Sequence, residues 1–116
     1  MTTFTVPLGV QGTLIANGDL LRVGLDPSLQ TEVVAKIGAT AWTGTVTFKG
    51  AVGETDTPAA IAGAEMGTPG TFATTATANG TYRINANGMR YVDIVLTNLA
   101  TGGPVTVAAT IAATDR

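Results

Sequence analysis

Few residues of this chain have side chains that could do chemistry. The 116-residue sequence holds no histidine and no cysteine, which removes the commonest general base, the commonest metal ligand and the thiol nucleophile. Its only serine, Ser28, follows a proline, and no histidine or evident activating lysine is available to its hydroxyl. We therefore expect no catalytic residue and no cofactor-binding site.

Carboxylates are the remaining candidates for a reactive or metal-binding site. Glu54 and Asp56 lie two residues apart in the loop from Gly53 to Pro58, and the next acid along the chain is Glu65. Clustered carboxylate oxygens are what a calcium site or a glycosidase acid pair requires. A solvated loop whose acids aid turn formation is the alternative, and it is the interpretation we prefer. The sequence accordingly predicts no metal site.

Three aromatic residues raise the possibility of a sugar-binding platform. Trp42, Tyr82 and Tyr91 are candidates for such a platform, because sugars stack on exposed rings. By strand parity, however, Trp42 and Tyr82 face inward and only Tyr91 faces outward. Packing of these rings in the core is therefore the better prediction.

Alternating apolar residues indicate the strands that would position these side chains. In the clearest strand, Trp42, Val46 and Phe48 share one face, whereas threonines and Lys49 share the other. The same period of two runs through three further segments: Val33, Ala35 and Ile37; Tyr82, Ile84 and Ala86; Val92, Ile94 and Leu96. A helix is the alternative for Thr31–Gly38, but the segment is short and rich in β-branched residues, which favours a strand.

Two Asn-Gly pairs predict tight turns between strands. Asn87-Gly88 separates the run that begins at Gly80 from Met89–Asn98, and Asn17-Gly18 separates Gly12–Ala16 from Asp19–Leu25. A type I′ turn needs positive φ at both central residues, which Asn-Gly readily adopts. We therefore expect each pair to close an antiparallel hairpin.

The remaining segments complete an all-β pattern. We expect strands at Phe4–Val10, around Ile61, at Thr71–Thr77 with Phe72 as its one large core anchor, and at Val105–Ala113. About eight or nine short strands with turn signals between them predict an antiparallel β-sandwich, jelly-roll-like, in a single domain. We divide the chain into an N-terminal arm or edge strand, residues 1–11, and a β-sandwich domain, residues 12–116.

Composition narrows the classes of partner. Charged residues make up 12% and hydrophobic residues 45% of the chain, with a net charge of −2. The six cationic residues are scattered along the sequence, which argues against nucleic-acid binding. No signal-peptide pattern and no stretch near 20 apolar residues is found, so we expect synthesis in the cytoplasm and no membrane partner. A weakly charged, small-residued surface suggests coverage by other subunits.

Several of these segments together resemble small β-sandwich structural proteins of tailed bacteriophages. The resemblance covers about the last two-thirds of the chain. It is carried by the segments 33–52, with Trp42 and Gly-Thr-Val-Thr-Phe-Lys-Gly at 44–50; 58–61; 80–98, with Gly-Thr-Tyr-Arg-Ile at 80–84; and 102–107, with Gly-Gly-Pro-Val-Thr-Val. The Asp-Gly turn common in that class is replaced here by Gly-Glu-Thr-Asp at 53–56.

The resemblance implies a structural role in the virion. Such domains occur in head decoration proteins, head fibres and tail fibres. By resemblance we expect a capsid decoration (cement) protein that binds the major capsid protein on the outer head surface as a homo-oligomer, with a trimer favoured. The segment Met1–Val10 would be an arm that reaches a neighbour. The alternative is a carbohydrate- or receptor-binding module of a phage fibre or tail.

Overall fold

The computed structural model describes residues 8–28, 30–39, 41–53, 56–66 and 72–114. Within those residues the chain forms eleven β-strands: β1 Leu8–Leu14, β2 Leu20–Gly24, β3 Gln30–Gly38, β4 Thr43–Ala51, β5 Ala59–Ala60, β6 Gly63–Glu65, β7 Phe72–Ala73, β8 Thr75–Ala76, β9 Gly80–Asn85, β10 Tyr91–Thr101 and β11 Val105–Thr114. In this part of the chain no helix is long and apolar enough to span a membrane.

The strands form two antiparallel sheets that pack face to face. The first sheet has the order β1-β11-β3-β9-β6-β7, and the second has the order β2-β10-β4-β5, with β8 also paired to β4. Because consecutive strands mostly alternate between the sheets, the turns at the two ends of the sandwich tie the layers together. The predicted fold class, an antiparallel β-sandwich in one domain, is confirmed.

The core lies between the two sheets and follows the predicted alternation. In β3, Val33, Ala35 and Ile37 are buried at every second position, which excludes the helical alternative. From the second sheet, Phe48 is fully buried and meets Tyr82 of the first sheet, with 5.3 Å between ring centroids. Apolar residues from both layers fill the space around them, including Val23, Val46, Ile84, Val92, Ile94, Leu96, Val105 and Val107. Burial of this apolar area is the main force that holds the layers together.

The two predicted hairpins are wrong, because each Asn-Gly turn crosses from one sheet to the other. β9 lies in the first sheet between β3 and β6, whereas β10 lies in the second sheet between β2 and β4. Gly88 has the expected positive φ of 78°, but Asn87 does not, so the turn is not the predicted type I′ turn. The hydrogen bonds of this turn connect it to β3 and β4 and do not close a hairpin. Asn87 Oδ1 accepts from Thr31 N at 2.6 Å, and Arg90 N donates to Ala51 O at 2.7 Å. The turn at Gly18 likewise joins β1 of the first sheet to β2 of the second.

At the N-terminal end one strand replaces the two that were predicted. β1 runs continuously from Leu8 to Leu14, an edge strand paired with β11 in an unbroken register. It therefore spans the predicted boundary at residue 11. Residues 1–7 of the predicted arm lie outside the described residues.

Phe72 is the clearest error in the predicted core. Its side chain is 71% exposed, because Phe72 pairs opposite Ala64 on the outer face of the first sheet. The inward position at this edge belongs to Gly63, whose backbone lies directly against the Phe48 ring. The predicted strand at residues 71–77 is instead two two-residue strands, β7 and β8, which belong to different sheets. Ile61 lies between β5 and β6, and its N–H donates to Phe48 O at 2.9 Å.

Candidate functional site

Ser28 uses its polar groups to close a turn. Its hydroxyl donates to Asp26 Oδ1 at 2.7 Å, and its backbone N–H donates to the same oxygen at 2.9 Å. These hydrogen bonds lower the pKa of Asp26. The pair is an Asx turn after β2, and this geometry assigns the Ser28 hydroxyl a structural role.

The predicted acidic candidates do not meet in one place. Glu54 lies outside the described residues. Asp56 lies over the second sheet, where its backbone O accepts from Tyr91 Oη at 2.8 Å. Glu65 belongs to the first sheet, paired with Tyr82 in register. Among the described residues, no group of three or more acids could hold a metal ion.

The three aromatic candidates are not arranged as an exposed platform. Tyr82 is buried between the sheets, as predicted, and burial followed by the charge of Glu65 raises its pKa. Trp42 is only partly buried, and its Nε1 donates to Asn79 Oδ1 at 2.7 Å. Tyr91 does lie on the outer face of the second sheet, but its side chain is buried there. The outward direction of Tyr91 agrees with the predicted strand parity, and the Arg22 guanidinium covers the ring there.

The structure instead reveals a polar cluster around Tyr91 that the sequence analysis missed. Arg22 of β2 makes a bidentate pair with Asp93 of β10, with Nε to Oδ1 and Nη2 to Oδ2 both at 2.8 Å. The same guanidinium lies over the Tyr91 ring, 3.9 Å from its centroid. Lys49 of β4 is opposite Asp93 on the other side. Arginine's planar fork suits both the carboxylate and the ring.

Burial makes this cluster unusual for the outer face of a sheet. Asp93 is 1% exposed although it points away from the core, because β10 is the second strand of its sheet and is flanked by long side chains on β2 and β4. Hydrogen bonding to Asp93 raises the pKa of Arg22, so the guanidinium stays charged throughout the accessible pH range. The alternation in β10 indicates that Asp93 faces outward, but no sequence signal places Arg22, 71 residues earlier, beside it.

The cluster borders an open depression at one end of the sandwich. The depression has a volume of about 480 Å³ and is lined by Arg22, Gly24, Leu25, Asp26, Arg90 and Tyr91. Two arginines and one aspartate therefore border the same concave surface. Such a surface suits charged side chains of a protein partner better than an apolar small molecule.

Comparison with known proteins identifies relatives by fold. No protein-family model matches the chain, and no curated protein sequence matches it. The SPBc2 prophage-derived protein YomS superposes with a TM-score of 0.67 at 18% identity, over 97% of this chain and 99% of that one. The PBSX exported protein XepA superposes with a TM-score of 0.69 at 12% identity, over 90% of this chain and 38% of that one.

The shared feature is the β-sandwich itself. YomS has this architecture over essentially the same length, whereas in XepA the chain corresponds to well under half of a longer protein. YomS is prophage-derived by its name, and XepA is named as an exported protein. The predicted resemblance to small phage β-sandwich proteins is thus confirmed at the level of the fold.

Proposed function

We propose that this protein is a structural component of a bacteriophage particle, and specifically a decoration protein on the outer surface of the head. The observation that carries the proposal is the fold shared with the prophage-derived YomS across nearly the whole length of both chains. The proposed role is to bind and to brace a shell.

The edges of the sandwich support assembly into a homo-oligomer, with a trimer expected. β1 and β2 are edge strands of the two sheets, and they lie on the same side of the sandwich, where Leu21 covers Gly12. β1 carries no charged residue, and its pairing with β11 has no bulge. Proteins usually protect a free edge with charge, proline or a bulge. An unprotected edge of seven residues is therefore a candidate contact between copies.

Symmetry would allow many weak contacts to add up to strong binding of the oligomer to the shell. Each copy of an oligomer bound on a symmetry axis touches an equivalent surface of the shell, so one attachment raises the effective concentration of the next. Bridging neighbouring capsomers in this way would stabilise the shell without any catalytic step.

A carbohydrate- or receptor-binding module of a fibre has less support. Sugar recognition requires exposed rings, yet Tyr82 and Tyr91 are buried and Trp42 donates its ring N–H to Asn79. Phe72 is exposed, but it lies on the outer face of the first sheet, away from Tyr91 on the second. The described aromatics thus offer no shared stacking surface.

Co-sedimentation with phage heads tests the proposed function. Purified protein is mixed with expanded, undecorated heads, and the bound amount is measured across a concentration series. We expect saturation at a stoichiometry fixed by the symmetry of the shell, together with a higher temperature of head disruption. Heads that already carry their decoration protein are the control and should bind little. No binding to any state of the head would contradict the proposal.

Light scattering coupled to size-exclusion chromatography tests the role of the edge. We expect an oligomer, and we expect Gln11→Lys to shift it toward the monomer, because a charge on the exposed outer face of β1 opposes edge pairing. Gln30→Lys is the matched control, since Gln30 is also exposed but β3 lies inside the first sheet. An equal shift in both variants would contradict edge pairing.

A further inference from the structure

A small pocket opens where the chain crosses from the first sheet to the second. It has a volume of about 200 Å³ and is lined by Gly63 and Glu65 of β6, by Tyr82 of β9 and by residues 73 and 75–78 of the crossing segment. That segment leaves the first sheet at β7 and joins the second at β8. We call this pocket the crossover pocket. Among the described residues it shares none with the depression beside Tyr91.

Glu65 faces the inside of the sandwich although it carries a charge. Gly63 faces inward, because a Cβ added there would lie 3.1 Å from the Phe48 ring. Glu65 is two residues further along β6 and therefore shares that face. It is opposite Tyr82 in register, and the Cβ atoms of directly opposite residues are about 5 Å apart. The pairing of β6 with β9 thus places a carboxylate beside a phenol.

Tyr82 brings a hydroxyl group to the same pocket. Its side chain is 6% exposed, and its ring packs against Phe48. The hydroxyl makes no hydrogen bond with the described residues, and no fully buried side-chain oxygen among them lacks a partner. The hydroxyl therefore keeps a small contact with solvent, and the crossover pocket that Tyr82 lines accounts for it. Buried tyrosine hydroxyls usually have a hydrogen-bond partner, which a ligand in this pocket would supply.

The negative charge in the crossover pocket has no positive charge beside it. Glu65 is the only charged residue among the described residues of the lining, which also include Thr75 and Thr77 with their hydroxyl groups. Residues 67–71, which connect β6 to β7, contain no charged side chain. The cations in the described part of the chain belong to the outer faces of the sheets or to the other depression: Arg22, Lys36, Lys49, Arg83 and Arg90. The pocket thus combines one negative charge with several hydrogen-bond acceptors.

We propose that the crossover pocket binds an alkylammonium group, such as that of a lysine side chain or of a small aliphatic amine. An ammonium group has one positive charge, three N–H donors and no acceptor. The Glu65 carboxylate, the Tyr82 hydroxyl and a threonine hydroxyl can each accept one of those donors. The inference goes beyond the proposed function and does not rest on it.

Other classes of ligand match the pocket less well. Its volume is below the range of about 300 to 1,000 Å³ that is typical of small-molecule sites, so a sugar or a nucleotide is too large. A calcium ion takes six or more oxygen ligands, and among the described residues no group of three acids could hold a metal ion. An anion would be repelled by Glu65.

Protection of the sheet edge is the alternative role for Glu65. An inward-pointing charge near an edge discourages pairing with a further strand, and that role needs no ligand. The two roles differ in one measurable property, because only a binding site gives saturable binding that depends on both Glu65 and the Tyr82 hydroxyl.

NMR spectroscopy of the ¹⁵N-labelled full chain tests the crossover pocket. n-Butylammonium chloride is titrated into the protein, and tetramethylammonium chloride at the same ionic strength serves as a probe that has the charge but no N–H donor. Glu65→Gln removes the charge of the pocket, and Tyr82→Phe removes the hydroxyl but keeps the ring. Glu32→Gln is the matched control, since it removes the same charge from the outer face of the same sheet. Circular dichroism and urea unfolding establish that every variant folds.

We expect butylammonium to give saturable shifts at the backbone amides of Glu65, Thr75 and Thr77. Loss of the charge-assisted hydrogen bond should make binding about tenfold weaker in Glu65→Gln and for tetramethylammonium. Loss of the neutral hydrogen bond should make it about fivefold weaker in Tyr82→Phe. Glu32→Gln should stay within about twofold of the wild type, because solvent screens a charge on the outer face.

Shifts that do not saturate, or equal affinity in Glu65→Gln and the wild type, would overturn the proposal and favour edge protection. Neither result would affect co-sedimentation with heads, so this inference and the proposed function fail separately. A blocked tripeptide with a central lysine distinguishes the two sources of the ammonium group. If it saturates the same shifts, the pocket accepts a protein side chain, and if only butylammonium does, the ligand is a free amine.

Discussion

Two arginine–carboxylate pairs of this protein share one geometry and differ in burial. Arg22 and Asp93 join β2 to β10, and Arg83 and Glu32 join β9 to β3, each through two hydrogen bonds of 2.8 to 3.0 Å. The carboxylate side chain is 1% exposed in the first pair and 37% exposed in the second. The hydrogen-bond distances alone would suggest that the two pairs contribute equally to stability.

Their surroundings explain the difference. Arg22 stands directly opposite Asp93 in register, with Tyr91 beneath the guanidinium and Lys49 on the far side of the carboxylate. Glu32 is opposite Asn85, so Arg83 reaches it diagonally over an open part of the first sheet. Solvent therefore screens the second pair more strongly than the first, in which only the arginine is exposed. Removing one member of an ion pair is therefore strongly destabilising only where the remaining charged group stays buried and cannot be hydrated.

The largest expected effect follows Arg22→Ala. This change leaves the Asp93 carboxylate buried without its main partner, and a buried charge without a partner is destabilising. Lys49 lies opposite and water can enter where Arg22 was, which limits the loss, but we expect it to exceed that of Asp93→Ala or Glu32→Gln, measured by urea unfolding. Arg83→Ala is the control. A loss no greater than that of Arg83→Ala would break the comparison.

A smaller loss is expected for Asp93→Ala. The half-exposed Arg22 guanidinium then regains water, so the change removes two charge-assisted hydrogen bonds without stranding a charge. We expect the free energy of unfolding to fall by about 1 to 2 kcal/mol. The double variant Arg22→Ala/Asp93→Ala should lose less than the sum of the two single losses. If Asp93→Ala proved as costly as Arg22→Ala, the asymmetry argued from burial would be incorrect.

Tyr82 extends the comparison to a buried group whose neutral form is favoured. Burial and Glu65 place its folded-state pKa above the unfolded value of about 10. The neutral Tyr82 side chain therefore makes its full contribution to the free energy of unfolding below pH 10. This contribution is lost as the pH rises through the folded-state pKa. We expect the free energy of unfolding to fall above pH 10, and to fall less steeply in Tyr82→Phe. Parallel pH curves for the two proteins would contradict this.

The smallest effect is expected for Glu32→Gln. Exposed ion pairs contribute at most about 1 kcal/mol and are weakened by salt. We expect a slight loss of stability in dilute buffer that disappears in about 1 M sodium chloride, where the screening length is only about 3 Å. The loss caused by Arg22→Ala should persist at that salt concentration. A salt-independent loss in Glu32→Gln would mean that the two pairs are alike after all.

Local patterns were sufficient to predict the longer strands β2, β3, β4, β9, β10 and β11, but not β1 or the short strands β5 to β8. Alternation in β3, β4 and β9 identified the buried face of each strand. The turns at Gly18 and Gly88 were placed correctly, but positive φ occurs at the glycines and not at the asparagines before them, so they are not the predicted type I′ turns. The prediction that Phe72 is buried was wrong because residues 71–77 contain a single large apolar side chain, and one such residue cannot show an alternating pattern. Without a second apolar residue at a spacing of two, the face of a short strand is undetermined.

The same patterns could not predict the candidate site. Side-chain alternation states which face of a strand is apolar, but it does not state which strand lies beside it. The turn at Asn87-Gly88 reverses the chain equally well within one sheet or between two. Only the packed structure places β10 between β2 and β4, and only then do Arg22 and Lys49 flank Asp93.

The sequence by itself determined an all-β chain with little reactive chemistry, because strand periodicity, turn residues and the absence of histidine and cysteine are local properties. The tertiary structure decided which strands pair and which polar groups are buried. Those properties depend on contacts between residues far apart in the chain, whose free energy exists only once both sheets have formed.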